Sequence, residues 1–275
     1  MNKILMNKTR RNINTINIKR NIRIMEIKQN EVINDLLGYE GLKIIQRPDA
    51  FNFSLDSTIL ADFVTIKLRD KKIIDLGCGN GYIPIFLTLR TNASIYGVEI
   101  QEDIYDQAIR SVKLNDLEDK VTIINGDIKN IYETLGTSTF DVVVSNPPYF
   151  KYTEDSNINK NDYLTIARHE VKVTLDDVVK CANILLKDGG TFAMVHRSDR
   201  LVEILETFRK YRIEPKTLRF VYAVNNYKES VAILVEGKKK TKPGGLKVLN
   251  PLYVQDEHGK YTDEILKIFN YKKDE

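Results

Sequence analysis

The tetrapeptide Asn146-Pro147-Pro148-Tyr149 combines residue types that can hold a flat amino group. The side-chain oxygen of Asn146 and the carbonyl oxygen of Pro147 can each accept one proton of an NH2 group. Such a nitrogen is a weak nucleophile when its lone pair is delocalised, and two acceptors draw it toward tetrahedral geometry. Tyr149 offers an aromatic face on which a planar base can stack. The simplest alternative is that the two prolines only terminate a strand, since proline cannot donate to a sheet ladder.

A glycine-rich turn lies upstream, in the segment Asp75-Leu-Gly77-Cys-Gly79-Asn-Gly81. Its glycines follow the pattern Gly-x-Gly-x-Gly, which differs from the Gly-x-Gly-x-x-Gly of dinucleotide-binding proteins. The carboxylate of Asp75 would repel a pyrophosphate but can hold the ammonium group of a methionine moiety. The turn therefore predicts a site for S-adenosylmethionine (SAM), with Asp75, Gly77, Gly79 and Gly81 as cofactor-binding residues.

Two further acids end the next predicted strands. Glu99 can accept hydrogen bonds from both hydroxyls of a ribose, and Asp127 can accept from the amino group of the cofactor's adenine. The alternative for Asp127 is an ordinary turn or cap residue. Together with Asn146 these positions predict a SAM-dependent methyltransferase that acts on a planar nitrogen and releases S-adenosylhomocysteine. The sulfonium is already activated, so the reaction requires neither a metal nor a covalent intermediate.

The elements that must position these residues alternate between strand and helix. We predict strands at 72–76, 94–99, 121–125, 140–145, 191–195, 217–222 and 231–236, and helices at 56–68, 83–89, 103–115, 176–186 and 199–211. A short helix at 31–37 and a short strand at 42–46 precede them. The pattern predicts an α/β, Rossmann-like fold of the class I methyltransferase type, with helices on both faces of a seven-stranded, mainly parallel sheet. The last two strands lack a helix between them and are expected to form an antiparallel hairpin at the sheet edge.

The composition is that of an ordinary globular protein. The chain has 275 residues, of which 42% are hydrophobic and 29% charged. It contains no apolar run of about 18 residues and no apolar N-terminal core, so neither a membrane helix nor a secretory signal is predicted. Cys78 and Cys181 lack the spacing of a disulfide framework or a zinc site. These features favour a cytoplasmic, metal-free protein without a membrane partner, most simply a monomer.

The basic residues are concentrated at the N-terminus. Seven of the 42 basic residues and none of the 38 acidic ones lie in residues 1–24, which leaves 35 basic and 38 acidic residues in 25–275. We therefore divide the chain into a basic arm, 1–24, and a methyltransferase domain, 25–275. Such arms often contact nucleic-acid phosphates, here through Lys8, Arg10, Arg11, Lys19 and Arg20. The alternatives are a disordered Asn-rich tail, a targeting sequence, or a segment upstream of a true start at Met25.

Several stretches together resemble one group of enzymes. Phe53-Ser-Leu-Asp-Ser57, Gly97-Val-Glu-Ile-Gln-Glu102, Asn146-Pro-Pro-Tyr-Phe150, Ala167-Arg-His-Glu170, Val195-His-Arg197, Arg219-Phe-Val-Tyr222 and Leu234-Val-Glu-Gly237 are similar to segments of the bacterial tRNA1(Val) (adenine(37)-N6)-methyltransferases. The resemblance runs from about residue 26 to the C-terminus. It implies N6-methylation of the adenine beside the anticodon of a valine tRNA, with tRNA as the partner.

The resemblance also implies roles for single residues. Asp56 and Ser57 would lie near the methionine end of SAM, and Arg168 would lie on a loop over the active site. Phe150 is assigned with Tyr149 to the substrate side. The Asn-Pro-Pro-Tyr signature also occurs in release-factor glutamine N5-methyltransferases and in amino methyltransferases of rRNA and DNA, which remain alternatives.

Overall fold

A computed structural model of the chain describes residues 27–36, 39–47, 55–149, 173–225 and 228–269. Its strands are β1 (Val32–Leu36), β2 (Tyr39–Gln46), β3 (Lys72–Leu76), β4 (Ser94–Glu99), β5 (Val121–Asn125), β6 (Phe140–Ser145), β7 (Leu186–Arg197), β8 (Ile213–Val224), β9 (Ala232–Lys239), β10 (Lys247–Val248) and β11 (Leu252–Gln255). The described helices are α1 (Leu55–Phe63), α2 (Tyr82–Leu87), α3 (Glu102–Leu114), α4 (Tyr132–Leu135), α5 (Leu175–Leu185), α6 (Leu201–Lys210) and α7 (Asp263–Phe269). A single 3₁₀ turn, Ser198–Arg200, precedes α6.

The main sheet has the strand order β10-β8-β9-β7-β6-β3-β4-β5, and β11 also pairs with β8. Strands β5, β4, β3, β6 and β7 are parallel, whereas β9 runs antiparallel to both β7 and β8. The mainly parallel sheet with an antiparallel hairpin is thus confirmed. Because all the parallel strands end on the same side, the residues that follow β3, β4, β5 and β6 meet at one edge.

The prediction of seven strands was wrong, because this sheet has nine. Strands β10 and β11 pair in parallel with β8, so the hairpin of β8 and β9 is not the edge of the sheet. An uncovered β8 would present a row of unpaired backbone groups. β11 covers part of that row and buries Leu252 and Val254 in the core.

The predicted helix at 31–37 is also wrong, because residues 32–36 form β1. This strand pairs antiparallel with β2, in a register that sets Ile33 opposite Ile45. The hairpin docks on α3 through Asn115, whose side-chain oxygen accepts from the backbone N–H of Lys43 at 2.7 Å. Pairing and docking of this kind override the weak local preference of a short segment.

Helix α1 ends at Phe63, five residues before its predicted end. The guanidinium of Arg90 donates hydrogen bonds to the backbone oxygens of Ala61 and Val64, at 3.0 Å for Val64. These bonds satisfy carbonyl groups at the end of the helix and stop it there. Leu68, the last residue of the predicted helix, is fully exposed.

The core consists of two apolar layers, one on each face of the sheet. Alternate residues of each strand point to opposite layers, so Ile73 belongs to the layer that contains α1, α2, α3 and α7, and Ile74 to the layer that contains α4, α5 and α6. The prediction of helices on both faces is confirmed. Among the described helices, none combines the length and the apolar character that crossing a membrane requires.

Candidate active site

The glycine turn between β3 and α2 has a backbone that favours glycine. Gly77 and Gly79 have φ angles of 79° and 54°, and a Cβ atom at either position would meet nothing within 4 Å. The backbone N–H groups of Gly77 and Cys78 both donate to the carbonyl oxygen of Val98, at 2.9 Å each. The glycines are therefore needed for the backbone conformation, and their open sides face the space beyond the strand ends.

Asp75, the penultimate residue of β3, has a buried carboxyl group. The residue is 1% exposed, and neither carboxylate oxygen has a hydrogen-bond partner among the described residues. Burial, followed by the nearby charge of Glu99, raises the pKa of Asp75 well above its usual value. A buried acceptor without a partner is costly. Two buried carboxylate oxygens without partners are the feature expected of a carboxylate that binds a cationic ligand.

Glu99, at the end of β4, lies against the same turn. One of its carboxylate oxygens accepts from the backbone N–H of Gly79 at 3.1 Å, and the other accepts from that of Gln101 at 2.8 Å. Burial raises the pKa of Glu99, and the backbone hydrogen bonds oppose the shift. Hydrogen bonds from the backbone of Ile100 and the side chain of Gln101 also lower this pKa. The carboxylate is thus held in one orientation against the glycine turn.

Asp127 follows β5 and makes the contacts of a turn residue. Its Oδ1 accepts from the backbone N–H of Lys129 at 2.9 Å, and its Oδ2 lies 3.7 Å from the ammonium of that lysine. The backbone N–H of Gly126 donates to the carbonyl oxygen of Glu99 at 3.1 Å, which holds the ends of β4 and β5 together. The position suits the adenine end of a cofactor, and that role remains a prediction.

Asn146 follows the last residue of β6. Its side-chain nitrogen donates to the hydroxyl of Ser57 at 3.0 Å, and its side-chain oxygen accepts from the hydroxyl of Tyr149 at 2.7 Å. Ser145, one residue earlier, donates from its hydroxyl to the carbonyl oxygen of Leu76 at 2.8 Å, which ties the end of β6 to that of β3. The first turn of α1 therefore fixes the amide of Asn146 beside the glycine turn.

Tyr149 is held on three sides. Its hydroxyl lies 2.8 Å from a carboxylate oxygen of Asp56, in addition to its contact with Asn146. Its ring lies beside that of His196, with centroids 5.1 Å apart, and its carbonyl accepts from the guanidinium of Arg200 at 3.2 Å. Burial and the charge of Asp56 raise the pKa of Tyr149 well above its usual value. Burial also raises the pKa of Asp56, while the hydrogen bond from Tyr149 lowers it.

Comparison with known proteins identifies the family. The model of the methyltransferase small domain matches residues 43–223, well over half of the chain. The chain belongs to this family. A crystal structure of a predicted O-methyltransferase from Agrobacterium tumefaciens is similar, with a TM-score of 0.62 and 20% identity over 78% of this chain and 95% of that protein. At that identity the likeness shows the fold alone, which is that of a methyltransferase.

Two curated relatives of this methyltransferase come from bacteria. One from Flavobacterium johnsoniae is 27% identical over 161 residues, which span 58% of this chain and 67% of the relative. One from Porphyromonas gingivalis is 28% identical over 209 residues, which span 74% of this chain and 80% of the relative. Both relatives are named tRNA1(Val) (adenine(37)-N6)-methyltransferase.

Two residues outside the predicted site support the tetrapeptide of this methyltransferase. His196 is fully buried, and its Nδ1 accepts from the backbone N–H of Arg197 at 2.8 Å. Burial and the charge of Arg200 lower the pKa of His196 to about 4, so the ring is neutral at pH 7. Arg200 itself is ion-paired with Glu203 at 2.9 Å. The position of His196 could have indicated this role, since it lies near the end of β7, the strand next to β6.

The remaining predicted substrate residues lie outside the described residues. They are Phe150, Arg168 and the basic positions Lys8, Arg10, Arg11, Lys19 and Arg20. Of the predicted cofactor and catalytic residues, the structure brings Asp56, Ser57, Asn146 and Tyr149 into direct contact. It joins Glu99 to the glycine turn in the same way.

Proposed function

We propose that this methyltransferase transfers a methyl group from SAM to the exocyclic N6 of an adenine in tRNA, namely adenine 37 of tRNA1(Val). The observation that carries the proposal is the placement of Asn146 at the end of β6, directly beside the end of β3 and its glycine turn. An acceptor for an amino group and a turn suited to an adenosyl group thus share one edge. The names of the relatives support the choice of adenine and of tRNA. A tRNA substrate would place the reaction in the cytoplasm, as the sequence predicts.

The residues of the edge fit SAM. The orphaned carboxylate of Asp75 would bind the ammonium of its methionine part, Glu99 would accept from the ribose hydroxyls, and Asp127 would accept from the adenine amino group. Gly77 and Gly79 let the backbone approach the ligand. SAM supplies a methyl group on a sulfonium, a donor that needs no metal for activation.

Positioning is the main contribution of the protein to this reaction. Ser57 holds the amide nitrogen of Asn146, so the amide oxygen keeps one orientation. That oxygen and the carbonyl of Pro147 accept the two protons of the target amino group and direct its lone pair toward the donor. Good orientation of two reactants can lower a barrier by about 7–11 kcal/mol. The target adenine must leave its stack to reach these acceptors.

Transfer of labelled methyl groups tests the proposal. Purified protein is incubated with labelled SAM and either total tRNA or a release factor, and the position of the modified residue is mapped by mass spectrometry. We expect label in tRNA, as N6-methyladenine at position 37. The same reaction with the Asn146→Ala variant serves as the blank. Label confined to the release factor would show that the substrate is a glutamine amide.

The basic arm is proposed to strengthen tRNA binding. Deletion of residues 1–24, which hold seven basic residues and no acid, should weaken tRNA binding and reduce its dependence on salt. For each phosphate contact that is lost, the slope of the logarithm of the tRNA-binding constant against the logarithm of the salt concentration should decrease in magnitude by about 0.7–0.9. Affinity is measured by fluorescence anisotropy between low and moderate salt. A variant with Gln at Lys8, Arg10, Arg11, Lys19 and Arg20 keeps the length and should behave like the deletion; wild-type affinity in both proteins would refute the role.

A further inference from the structure

Three aromatic residues follow one another on the sheet face that carries α4, α5 and α6. Phe220 packs against the apolar layer of that face and stands opposite Ile233 of β9. Tyr222 lies two positions further along β8, so its side chain points to the same face. Tyr253 of β11 is its partner in the register, and the centroids of the two tyrosine rings are 5.4 Å apart. We call Phe220, Tyr222 and Tyr253 the aromatic row.

The aromatic row extends from the surroundings of Tyr149. Ile233 stands opposite Phe220 on one side and opposite His196 of β7 on the other. The centroid of the His196 ring is in turn 5.1 Å from that of Tyr149. Because β9 is antiparallel to both β7 and β8, and β11 is parallel to β8, the strands β7, β8 and β11 all end at the edge that carries the tetrapeptide. At a spacing of about 4.8 Å per strand, β11 lies about 14 Å from β7.

The outer part of the aromatic row is accessible to a ligand. Tyr222 and Tyr253 are only half-buried, although both lie on strands of the main sheet. Val231 adds apolar surface beside β8, since its backbone N–H donates to the carbonyl oxygen of Val221 at 2.9 Å and the residue is 48% exposed. A cluster of exposed uncharged rings suits the flat faces of nucleobases, and proteins hold unstacked bases of single-stranded RNA in this way.

We propose that the aromatic row binds an unstacked base of the tRNA loop, close to the target adenine, by stacking it on Tyr222 and Tyr253. The inference rests on the proposed function, because it assumes an RNA substrate whose target base lies at Tyr149. When the target adenine leaves its stack, its neighbours in the loop lose a stacking partner, and the aromatic row replaces that partner. The row therefore contributes to the affinity for RNA and has no part in methyl transfer itself.

Binding of a fluorescently labelled tRNA1(Val) transcript, measured by anisotropy, tests the inference. Tyr222→Ala and Tyr253→Ala should each raise the Kd for tRNA about fivefold or more, the effect of losing one base–aromatic stack. Tyr222→Phe and Tyr253→Phe keep the rings and should bind within about twofold of wild type. The dependence of the Kd on salt should stay that of wild type in all four variants, because stacking releases no counterions, whereas deletion of the basic arm should reduce it.

A matched control removes an exposed tyrosine from the other side of the sheet. Tyr261 is 48% exposed, and its ring packs against that of Phe269 in α7, which belongs to the opposite apolar layer. Tyr261→Ala should therefore leave the Kd for tRNA within about twofold. If Tyr222→Ala unfolds in a thermal melt, Tyr222→Leu retains apolar volume without an aromatic face and should show the same loss of affinity.

Abasic RNAs show whether the tyrosines act on a base. A set of anticodon stem-loops is prepared in which one loop nucleotide at a time, other than adenine 37, lacks its base. For the nucleotide that stacks on the row, Tyr222→Ala should raise the Kd by less than about twofold further, because the stack is already lost. For the remaining RNAs the loss of about fivefold or more should persist. Wild-type affinity in both alanine variants, or an equal loss with every abasic RNA, would overturn the inference.

The same variants separate failure of the inference from failure of the proposed function. If the wild-type protein methylates a release factor and leaves tRNA unmethylated, the proposed function fails. If it methylates tRNA and the alanine variants bind tRNA normally, the inference alone fails. A loss of release-factor methylation in Tyr222→Ala, with unchanged tRNA binding, would show that this surface binds protein and would also refute the inference.

Discussion

Replacing Asn146 with alanine is expected to lower kcat for methyl transfer by about 10²–10³-fold, the usual loss when one pre-oriented polar group of an active site is removed. The dissociation constant of SAM should stay nearly unchanged. The reason is that Asn146 is proposed to hold the amino group that is to be methylated, whereas Asp75 and Glu99 are the carboxyl groups proposed to bind the cofactor. Single-turnover rates and calorimetry with SAM measure the two quantities separately.

Two further variants make the Asn146 experiment specific. Asn146→Asp retains an acceptor oxygen but loses the hydrogen bond that the amide nitrogen donates to Ser57, so its kcat should lie between those of the wild type and the alanine variant. Asn92→Ala changes an exposed asparagine just before β4, at the opposite end of that strand from Glu99, and should have no effect. An alanine variant at 146 that kept more than about a tenth of the wild-type rate, a loss under 1.4 kcal/mol, would show that the amide oxygen is not the main acceptor.

Replacing Asp75 with asparagine should weaken SAM binding by at least about a hundredfold. Loss of one partner from a buried ion pair costs about 3–5 kcal/mol, and the orphaned carboxylate of Asp75 is the partner expected for the ammonium of SAM. The exposed residue Asp119 provides the matched control, since Asp119→Asn should leave binding unchanged. Calorimetry measures both, and wild-type affinity in Asp75→Asn would remove this residue from the cofactor site.

The same substitution should change how stability depends on pH. Burial raises the pKa of Asp75 in the folded protein well above its value in the unfolded chain. The folded state then binds the proton more tightly, so the free energy of unfolding falls as pH rises from about 4 toward the raised pKa. The asparagine of Asp75→Asn cannot titrate. In the absence of SAM, the free energy of unfolding of this variant should therefore fall less steeply over that pH range. Melting temperatures against pH, for this variant and for Asp119→Asn, test the sign; an unchanged slope would contradict it.

Several parts of the fold could be predicted because they depend on local patterns. Apolar runs of five or six residues alternate with amphipathic helices, and that order requires parallel strands joined by crossovers. Asp75, Glu99, Asp127 and Asn146 were each expected at the end of a strand, and each lies there. Parallel strands end on one side, so the sequence also implied that these residues share an edge.

Other parts could not be predicted because distant segments decide them. Residues 32–36 are a strand because β2 and α3 are available to pair with and dock on. Helix α1 stops at Phe63 because Arg90, which follows α2, donates hydrogen bonds to carbonyl groups at the end of α1. The extra strands β10 and β11 form because β8 offers an open edge. In each case long-range hydrogen bonds outweigh a weak local preference.

The sequence by itself therefore determined the fold class, the succession of the main strands and helices along the chain, and the edge of the sheet at which the polar residues meet. All of these follow from periodicity and from the chemistry of residue types along short stretches. Only the tertiary structure decided which groups touch: that Ser57 holds the amide of Asn146, that the phenol of Tyr149 lies between Asn146 and Asp56, and that His196 and Arg200 support it. Asp56 and Tyr149 are separated by 93 positions, and contact between such positions depends on how helices and loops pack against the sheet.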